Sequence, residues 1–544
     1  VLFRSNFNYN INRFDIAATV GWTGRYENMN NMRVSTNGGL VTENWFDLNA
    51  SRYTPSSTLQ RMELLKTGYM GTLSLGWDNY LFLELTGRQE RSSTLKDQSF
   101  FYPSANLSFL FTQAFHMPSW WNYGKLRLSY GIVGNAPETY TANIVYEQGS
   151  DNGFTWNTIP SSWGNADIRP EKKYEYEIGL ESKFLNNRLG IDISYYNNRV
   201  KDQILSTPQP STSGVKNVLM NVGEVANRGW DISISATPIL TRDFRWDLTA
   251  NYGVYKNKVV KLADGVPYLE ILNSGGSGIK IQAVEGQPMG DIYAQVPQVN
   301  ENGEYLVSDK GLYLNQTELQ KVGNINPAGV GGLFNSFSYK NVFLDFSIDF
   351  RIGGDVINEM NQYATAVGLT PESLKYRDTE HGGLSYYYPG DNNSSGIPVQ
   401  VDPSTGAGPN GEIIYHDGII LPGVVASTGE RNTRIIPAGY YYNTTYNWGT
   451  EAEQLTYRHS VFDNSYVKLR ELTIGYQFPE KMISKLGLGR LSVSVFGRNL
   501  FYFYKALKNY DAESSVGTSW ANQATVGSST TATRSFGVSL RASF

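Results

Sequence analysis

The sequence predicts an all-β protein, an antiparallel transmembrane β-barrel, and three observations carry that reading. Apolar and polar residues alternate with period 2, the alternating stretches are long, and short and long connections take turns down the chain. In residues 344–352, Leu344, Phe346, Ile348, Phe350 and Ile352 alternate with Asp345, Ser347, Asp349 and Arg351. Residues 230–237 set Trp230, Ile232, Ile234 and Ala236 against Asp231, Ser233, Ser235 and Thr237. Phe244, Trp246, Leu248, Ala250 and Tyr252 repeat the pattern with Asp247 among the polar partners, and so do Phe536, Val538, Leu540, Ala542 and Phe544 with Arg541. Successive side chains of a strand point to opposite faces, so each strand has one apolar and one polar face.

Fourteen strands are expected, near 10–26, 67–77, 80–90, 101–112, 125–133, 173–184, 188–201, 229–238, 244–257, 331–340, 342–353, 466–478, 490–503 and 533–544. Most exceed the ~5–6 residues of soluble strands and suit a tilted membrane crossing of ~9–11. Short turns fall at Asp78-Asn79, Leu185–Asn187, Ile239–Asp243 and Lys340-Asn341, with slightly longer ones at 113–124 and 479–489. Between them lie 27–66, the modest 91–100, 134–172, 202–228, 258–330, 354–465 and 504–532. Short periplasmic turns and long extracellular loops have that asymmetry in membrane barrels. A soluble sandwich has no reason to put every long loop at one end. Trp22, Trp77, Trp246, Tyr252, Tyr476, Phe501 and Tyr502, near strand ends, fit interfacial girdles.

Composition narrows the function classes. The chain has 544 residues, 46 Lys+Arg against 50 Asp+Glu, and a net charge of −4, which argues against a polybasic nucleic-acid footprint. Its charged fraction of 18% is below the ~25% of soluble chains, while aromatics reach 13%. With no Cys, thiol nucleophiles, disulfides and Cys-ligated metals are excluded. No run of 18 apolar residues occurs, so a transmembrane helix is not expected. Asn6, Asn8, Asn10 and Asn12 interrupt any signal-peptide core. Val1–Ser5 match one reading frame of a sequencing adapter and are taken as a candidate non-native leader or an ordinary internal start. Residues 6–544 are then one barrel portion.

Six stretches resemble the C-terminal barrel of the SusC/RagA family of TonB-linked outer-membrane transporters. They are Phe101–Leu107, Lys125–Gly131, Asn221–Glu224 leading to Asn227–Trp230, Gly323–Pro327, Ser465–Leu472 and Gly497–Phe501, in family order. The resemblance covers essentially residues 6–544. It implies a barrel of about 22 strands, of which about eight, with the plug and the TonB box, are expected upstream. It further implies import of a nutrient oligomer, glycan or peptide, with a SusD-like lipoprotein as lid and TonB–ExbB–ExbD acting through the plug. Phe544, a terminal aromatic, resembles the signal read by the barrel assembly machinery. Within the motifs, Gly223 and Gly229 are expected to permit unusual backbone geometry, Lys468, Arg470 and Glu471 to be lumen or rim charges, and Asn499 to hydrogen-bond the backbone at a strand end. Asp231, Asp247, Asp345, Asp349, Arg351 and Arg541 are the candidates for the lumen face.

No catalytic pattern emerges. His116, His381, His416 and His459 lie in turns or loops without HExxH, GxSxG or Walker A, and the Asp378 and Glu380 beside His381 read as a solvated cluster. No cofactor is expected. Asp391-Asn392-Asn393 and Asn300–Gly303 are oxygen-rich enough to consider Ca2+, but lack full EF-hand spacing. The loops are aromatic: Trp156, Trp163, Tyr386, Tyr387, Tyr388, Tyr440, Tyr441, Tyr442, Trp448 and Trp520 are the candidates for ligand or partner contact. Tyr and Trp suit stacking on a ligand, docking a partner, and packing loops on one another. All three readings stay open at this level. Beside the importer stand a passive porin or structural barrel, a siderophore or cobalamin receptor, and a soluble carbohydrate-binding β-protein.

Overall fold

Asn and Asp residues punctuate the strands. Asn12 (φ 54°), Asp78 and Asn79 (52° and 60°), and Asn186 and Asn187 (57° and 63°) adopt the left-handed backbone that tight hairpins require. Their short polar side chains tolerate it better than bulky ones do. Lys340, at 51°, does the same without that advantage.

The computed structural model describes residues 2–543 except 97–98, 152–153, 275–277, 391–395, 448–455, 516, 518 and 528–531. It falls into two compact units, residues 1–232 with 256–267 and residues 233–255 with 268–544. The first contains β1 (Leu2–Ile11), β2 (Phe14–Leu40), β3 (Ser51–Trp77), β4 (Leu81–Ser92), β5 (Ser99–Phe109), β6 (Trp121–Asn135), β7 (Glu171–Phe184) and β8 (Leu189–Lys201), each antiparallel to the next. β9 (Glu224–Leu240) and β10 (Phe244–Lys261) run through both units. In the second, β10 pairs with β11 (Gly329–Tyr339), followed in order by β12 (Val342–Ile352), β13 (Tyr466–Gln477), β14 (Arg490–Lys505) and β15 (Ser535–Ser543).

The all-β reading holds, with differences at the start. Residues 2–11 form a strand of their own, because the Asn12 turn folds Ile11 back onto Phe14. Leu2 through Ser5 pair with Thr23 through Val20. Residues 27–66 are largely a two-stranded continuation of β2 and β3, paired from Phe14↔Trp77 out to Leu40↔Ser51. Pairing of β3 with β4 begins only at Lys66↔Ser92, so among the described residues the outer part of that hairpin pairs with no third strand.

Burial is inverted relative to a soluble β-protein. The period-2 apolar faces stay open: Phe536, Val538 and Leu540 are 73%, 71% and 68% exposed. Such a continuous apolar face is what lipid solvates and water does not. Among the described residues the fully buried apolar side chains, Val259 of β10 apart, instead lie in the connections. Ile279, Ile281, Ile292, Ile325, Ile357 and Val461 form one core in the second unit, and Leu312, Ile419, Leu421 and Ile436 another. Two small four-stranded sheets carry these cores, one over Tyr268–Asn324 and one over Leu384–Pro437.

Candidate functional site

The polar faces of the strands are cross-linked by short charge-assisted contacts. Thr237 donates to Asp247 (2.7 Å), which also accepts from Arg245 Nε (2.6 Å), and Ser336 donates to Asp345 (2.6 Å). Arg351 Nη2 donates to the Ile325 carbonyl at 3.0 Å. Arg541 lines a cavity of about 260 Å³ with Asp345, Glu471, Thr473 and Ser492. Asp231 is exposed on the polar side of β9.

Within β13 the alternation breaks where two charges are adjacent. Lys468 pairs with Asp349, Leu469 with Ile348 and Glu471 with Ser347, leaving Arg470 as an extra residue in the ladder. The β14 ladder skips Arg470 too. Such a bulge re-aims side chains, and here Lys468, Arg470 and Glu471 all fall on the polar side. Arg470 donates to Asp349 through Nε, and through Nη1 to Asn499 (2.9 Å) and Glu513 (2.8 Å), with Nη2 also on Glu513. Lys468, only 1% exposed, donates to Glu513 at 2.6 Å, and its ammonium lies 4.7 Å from the Tyr502 ring centroid.

Burial pushes the Glu513 carboxyl up, but hydrogen bonds from Arg470 and Lys468 outweigh it and hold the group down at about 2. Glu513 was not among the sequence candidates. The local signal was the Arg470-Glu471 break in alternation, which marks the bulge but not its partner 43 residues away. Asn499 does hydrogen-bond the backbone, donating to the Thr533 carbonyl (3.3 Å) with φ 53°, but it lies within β14 rather than at a strand end. Gly223 has φ 91°, whereas Gly229 has no positive φ and is simply buried in β9.

The Gly323–Pro327 motif is a joint. Asn324 donates to buried Asp291 (2.7 Å), and its backbone N–H to Asp355 (2.9 Å). Asn326 donates to the Met289 carbonyl (2.6 Å) and accepts from Tyr255 (3.1 Å). Together with Arg351, these bonds tie the Tyr268–Asn324 sheet to β10 and β12.

The aromatic candidates divide. Tyr386 (1% exposed) and Tyr388 (5%) are loop core, packed with Tyr415 and Ile435. Tyr386 donates to Asp417 at 3.1 Å, and burial, then that carboxylate, push its hydroxyl upward. Tyr442 is buried and donates to the Glu372 carbonyl (2.9 Å), its hydroxyl raised to about 12 mainly by burial. Tyr441 packs edge-on against Tyr442 and Tyr446. These rings are held inside the loops because their neighbours in space are other loop residues. Tyr387 and Tyr440 are half-buried. Trp156 is 46% exposed on the hairpin Glu147–Asp151/Phe154–Thr158, and Trp163 meets Tyr146 edge-on. Trp520 is 37% exposed, its ring over Gly290. Trp448 and Phe544 lie outside the described residues, as does Asp391-Asn392-Asn393.

His459, read as a loop residue, stacks on Tyr446 at 4.4 Å. Burial, then neighbouring Arg458, hold it down at about 4. His381 contacts Asp378 at 2.7 Å in solvent, and His416 contacts Ser385 at 2.9 Å. In Asn300–Gly303, the Asn300 side-chain oxygen accepts from the Asn302 and Glu304 backbones, closing a turn. Among the described residues, no three His, Cys, Asp or Glu side chains gather where a metal ion would bind.

A family model described as TonB dependent receptor-like, beta-barrel, matches residues 2–291. TonB-dependent receptor P3 of Formosa agariphila is 24% identical over 494 residues, 82% of this chain and 42% of that protein. TonB-dependent receptor SusC of Bacteroides thetaiotaomicron is 30% identical over 247 residues, 42% of this chain and 24% of that protein. The solved RagAB peptide transporter has the same fold, with a TM-score of 0.67 at 18% identity over 94% of this chain and 52% of that one. The chain thus spans about half or less of the length of these relatives. These likenesses bear out the SusC/RagA resemblance carried by the six motifs. An exposed apolar face on long antiparallel strands, loops with their own cores, and the match over residues 2–291 lead to one conclusion: this chain belongs to the TonB-dependent receptor-like β-barrel family of outer-membrane proteins.

Proposed function

We propose that the chain is the C-terminal barrel portion of an outer-membrane importer of a nutrient oligomer, a glycan or a peptide. A SusD-like lipoprotein captures the ligand over the long loops. TonB–ExbB–ExbD then remodels a plug that precedes this portion in the complete receptor, and the barrel assembly machinery inserts the wall. In this reading the strands are the C-terminal members of a barrel of about 22, the short turns are periplasmic and the long loops extracellular. No covalent chemistry is involved.

The observation that carries the reading is the placement of the hydrophobic cores in the long connections rather than between sheets. A wall that only enclosed a passive pore would not need two extra four-stranded sheets on one set of connections. A rigid outer platform serves capture and docking. The names of the relatives, SusC and a RagAB peptide transporter, support the ligand classes.

The test is uptake in the source bacterium with and without the complete receptor gene, using labelled glycan and peptide pools. Uptake of one pool should disappear on deletion, return on complementation, and stop when the proton-motive force is collapsed. Uptake that persists without TonB would establish a passive pore and overturn the importer reading.

A further inference from the structure

Beside the β13 bulge lies a cavity of about 290 Å³, lined by Lys468, Asn499, Tyr502, Lys505, Asn509 and Arg534, with Asp511 as its acidic member. That volume is at the small end of ligand pockets, ~300–1,000 Å³, with room for one sugar ring or side chain. Three cationic side chains face one carboxylate in its lining. Arg534, exposed on its rim, makes no ion pair among the described residues. Lys468 reaches the cavity from a position where its charge is almost wholly removed from water, which is costly without a carboxylate partner.

In this structure that partner is Glu513, delivered by the loop between β14 and β15. Its two oxygens receive Lys468 Nζ and both terminal nitrogens of Arg470. Fork-to-fork guanidinium–carboxylate geometry is the arrangement by which proteins recognise carboxylates in general. The same loop is held independently of the Glu513 side chain by Tyr502 to Asp511 (2.9 Å), Lys505 to the Tyr510 carbonyl (2.7 Å), Asn464 to the Ala512 carbonyl (2.9 Å) and Asn509 to Asn361 (2.9 Å), and by Leu507 buried against Val356 and Val526.

We infer that Lys468, Arg470 and the adjoining cavity form a carboxylate-binding subsite which Glu513 occupies in cis, and that an acidic group of the imported oligomer displaces it. The ligand chemistry is a carboxylate on a small unit, from a uronate of a glycan or from an acidic side chain of a peptide. This deepens the importer reading and rests on it. Glu513 is then a latch: with no acidic ligand it neutralises the cationic pair and holds the loop against the wall. With a ligand carboxylate in its place, the Glu513 side chain is freed while the rest of the loop stays anchored.

The experiment uses the complete receptor in detergent, with trigalacturonate and its methyl ester as one probe pair and triglutamate and triglutamine as the other. Removing the internal competitor by Glu513→Gln should tighten binding of the acidic member of one pair about tenfold, because the free fraction of the site rises. The neutral member should be unaffected, and the pair that responds identifies the source of the carboxylate. Heat-modifiable migration on a gel checks that the barrel of the variant has assembled. Arg534→Gln, on the rim, leaves the latch contacts intact and should weaken the acidic probe about threefold in either background, as loss of one exposed charge does.

An assembled Glu513→Gln receptor that binds neither acidic probe better than the parent overturns the subsite, as does an Arg534→Gln receptor with unchanged affinity. Either failure leaves uptake intact, and so is distinct from failure of the importer reading, in which uptake persists without TonB.

Discussion

The wall strands and the connections between them solve opposite problems. β15 leaves its apolar side open, and β12, half-buried along its apolar side, has its polar side tied to its neighbours by the Ser336–Asp345 hydroxyl–carboxylate contact and the Arg470–Asp349 ion pair. The Tyr268–Asn324 and Leu384–Pro437 segments do the reverse, enclosing isoleucines and tyrosines in cores of their own. The first arrangement is stable only where hydrocarbon covers the apolar side. The second is stable in water. One chain therefore contains two solvents' worth of design, separated at the strand ends by joints such as Gly323–Pro327.

The contrast can be broken most severely on the wall. Ile348 and Phe350 lie on the apolar side of β12, with Phe350 stacked on Tyr252 at 6.2 Å. Replacing both by Arg should cost ~2–4 kcal/mol each if they meet lipid at mid-bilayer, and strongly reduce folded receptor in outer-membrane fractions. Asp349→Asn, on the other side of the same strand, should leave membrane levels far closer to normal. Equal losses from the two faces would mean that the facing is misassigned.

A cut in the loop core should have a different signature. Ile357 is fully buried beside Ile279, Tyr457 and Val461, so Ile357→Ala should destabilise its lobe by about 2–5 kcal/mol. Limited proteolysis should then cleave within 354–465 while the barrel still shows heat-modifiable migration. Loss of the barrel as well would show that the lobes and wall fold as one unit.

The smallest effect is one of pH. His459 is neutral in the folded loop, its value pulled from 6.5 to about 4, so the unfolded loop binds more protons across that interval. Stability from this residue is complete above pH 6.5 and is lost as pH falls towards 4, by up to ~3 kcal/mol. Protease resistance of the loop should fall over that range in the parent and fall less in His459→Phe. An identical acid response in both would remove His459 as the cause.

Most of the wall was legible in the order of residues because strand alternation is a local property. Each face is defined by neighbours two positions apart, and Asn or Asp at a turn declares itself. The first strand was missed for a related reason: Asn6, Asn8 and Asn10 occupy its polar face, and read singly they looked like interruptions. The loops were legible only as aromatic. Whether Tyr386 stacks on a sugar or on Tyr415, some thirty residues away, depends on a contact that no spacing rule encodes. Glu513 was invisible for the same reason.

Alone, then, the sequence determined a strand-built membrane wall, its polar and apolar sides, its turn positions and its likeness to a transporter family, since all of these follow from short-range pattern. Tertiary structure decided which aromatics are core and which remain open, where the buried charge sits, and which carboxylate neutralises it. Burial and charge pairing are properties of neighbours in space, and in long loops those neighbours are far apart along the chain.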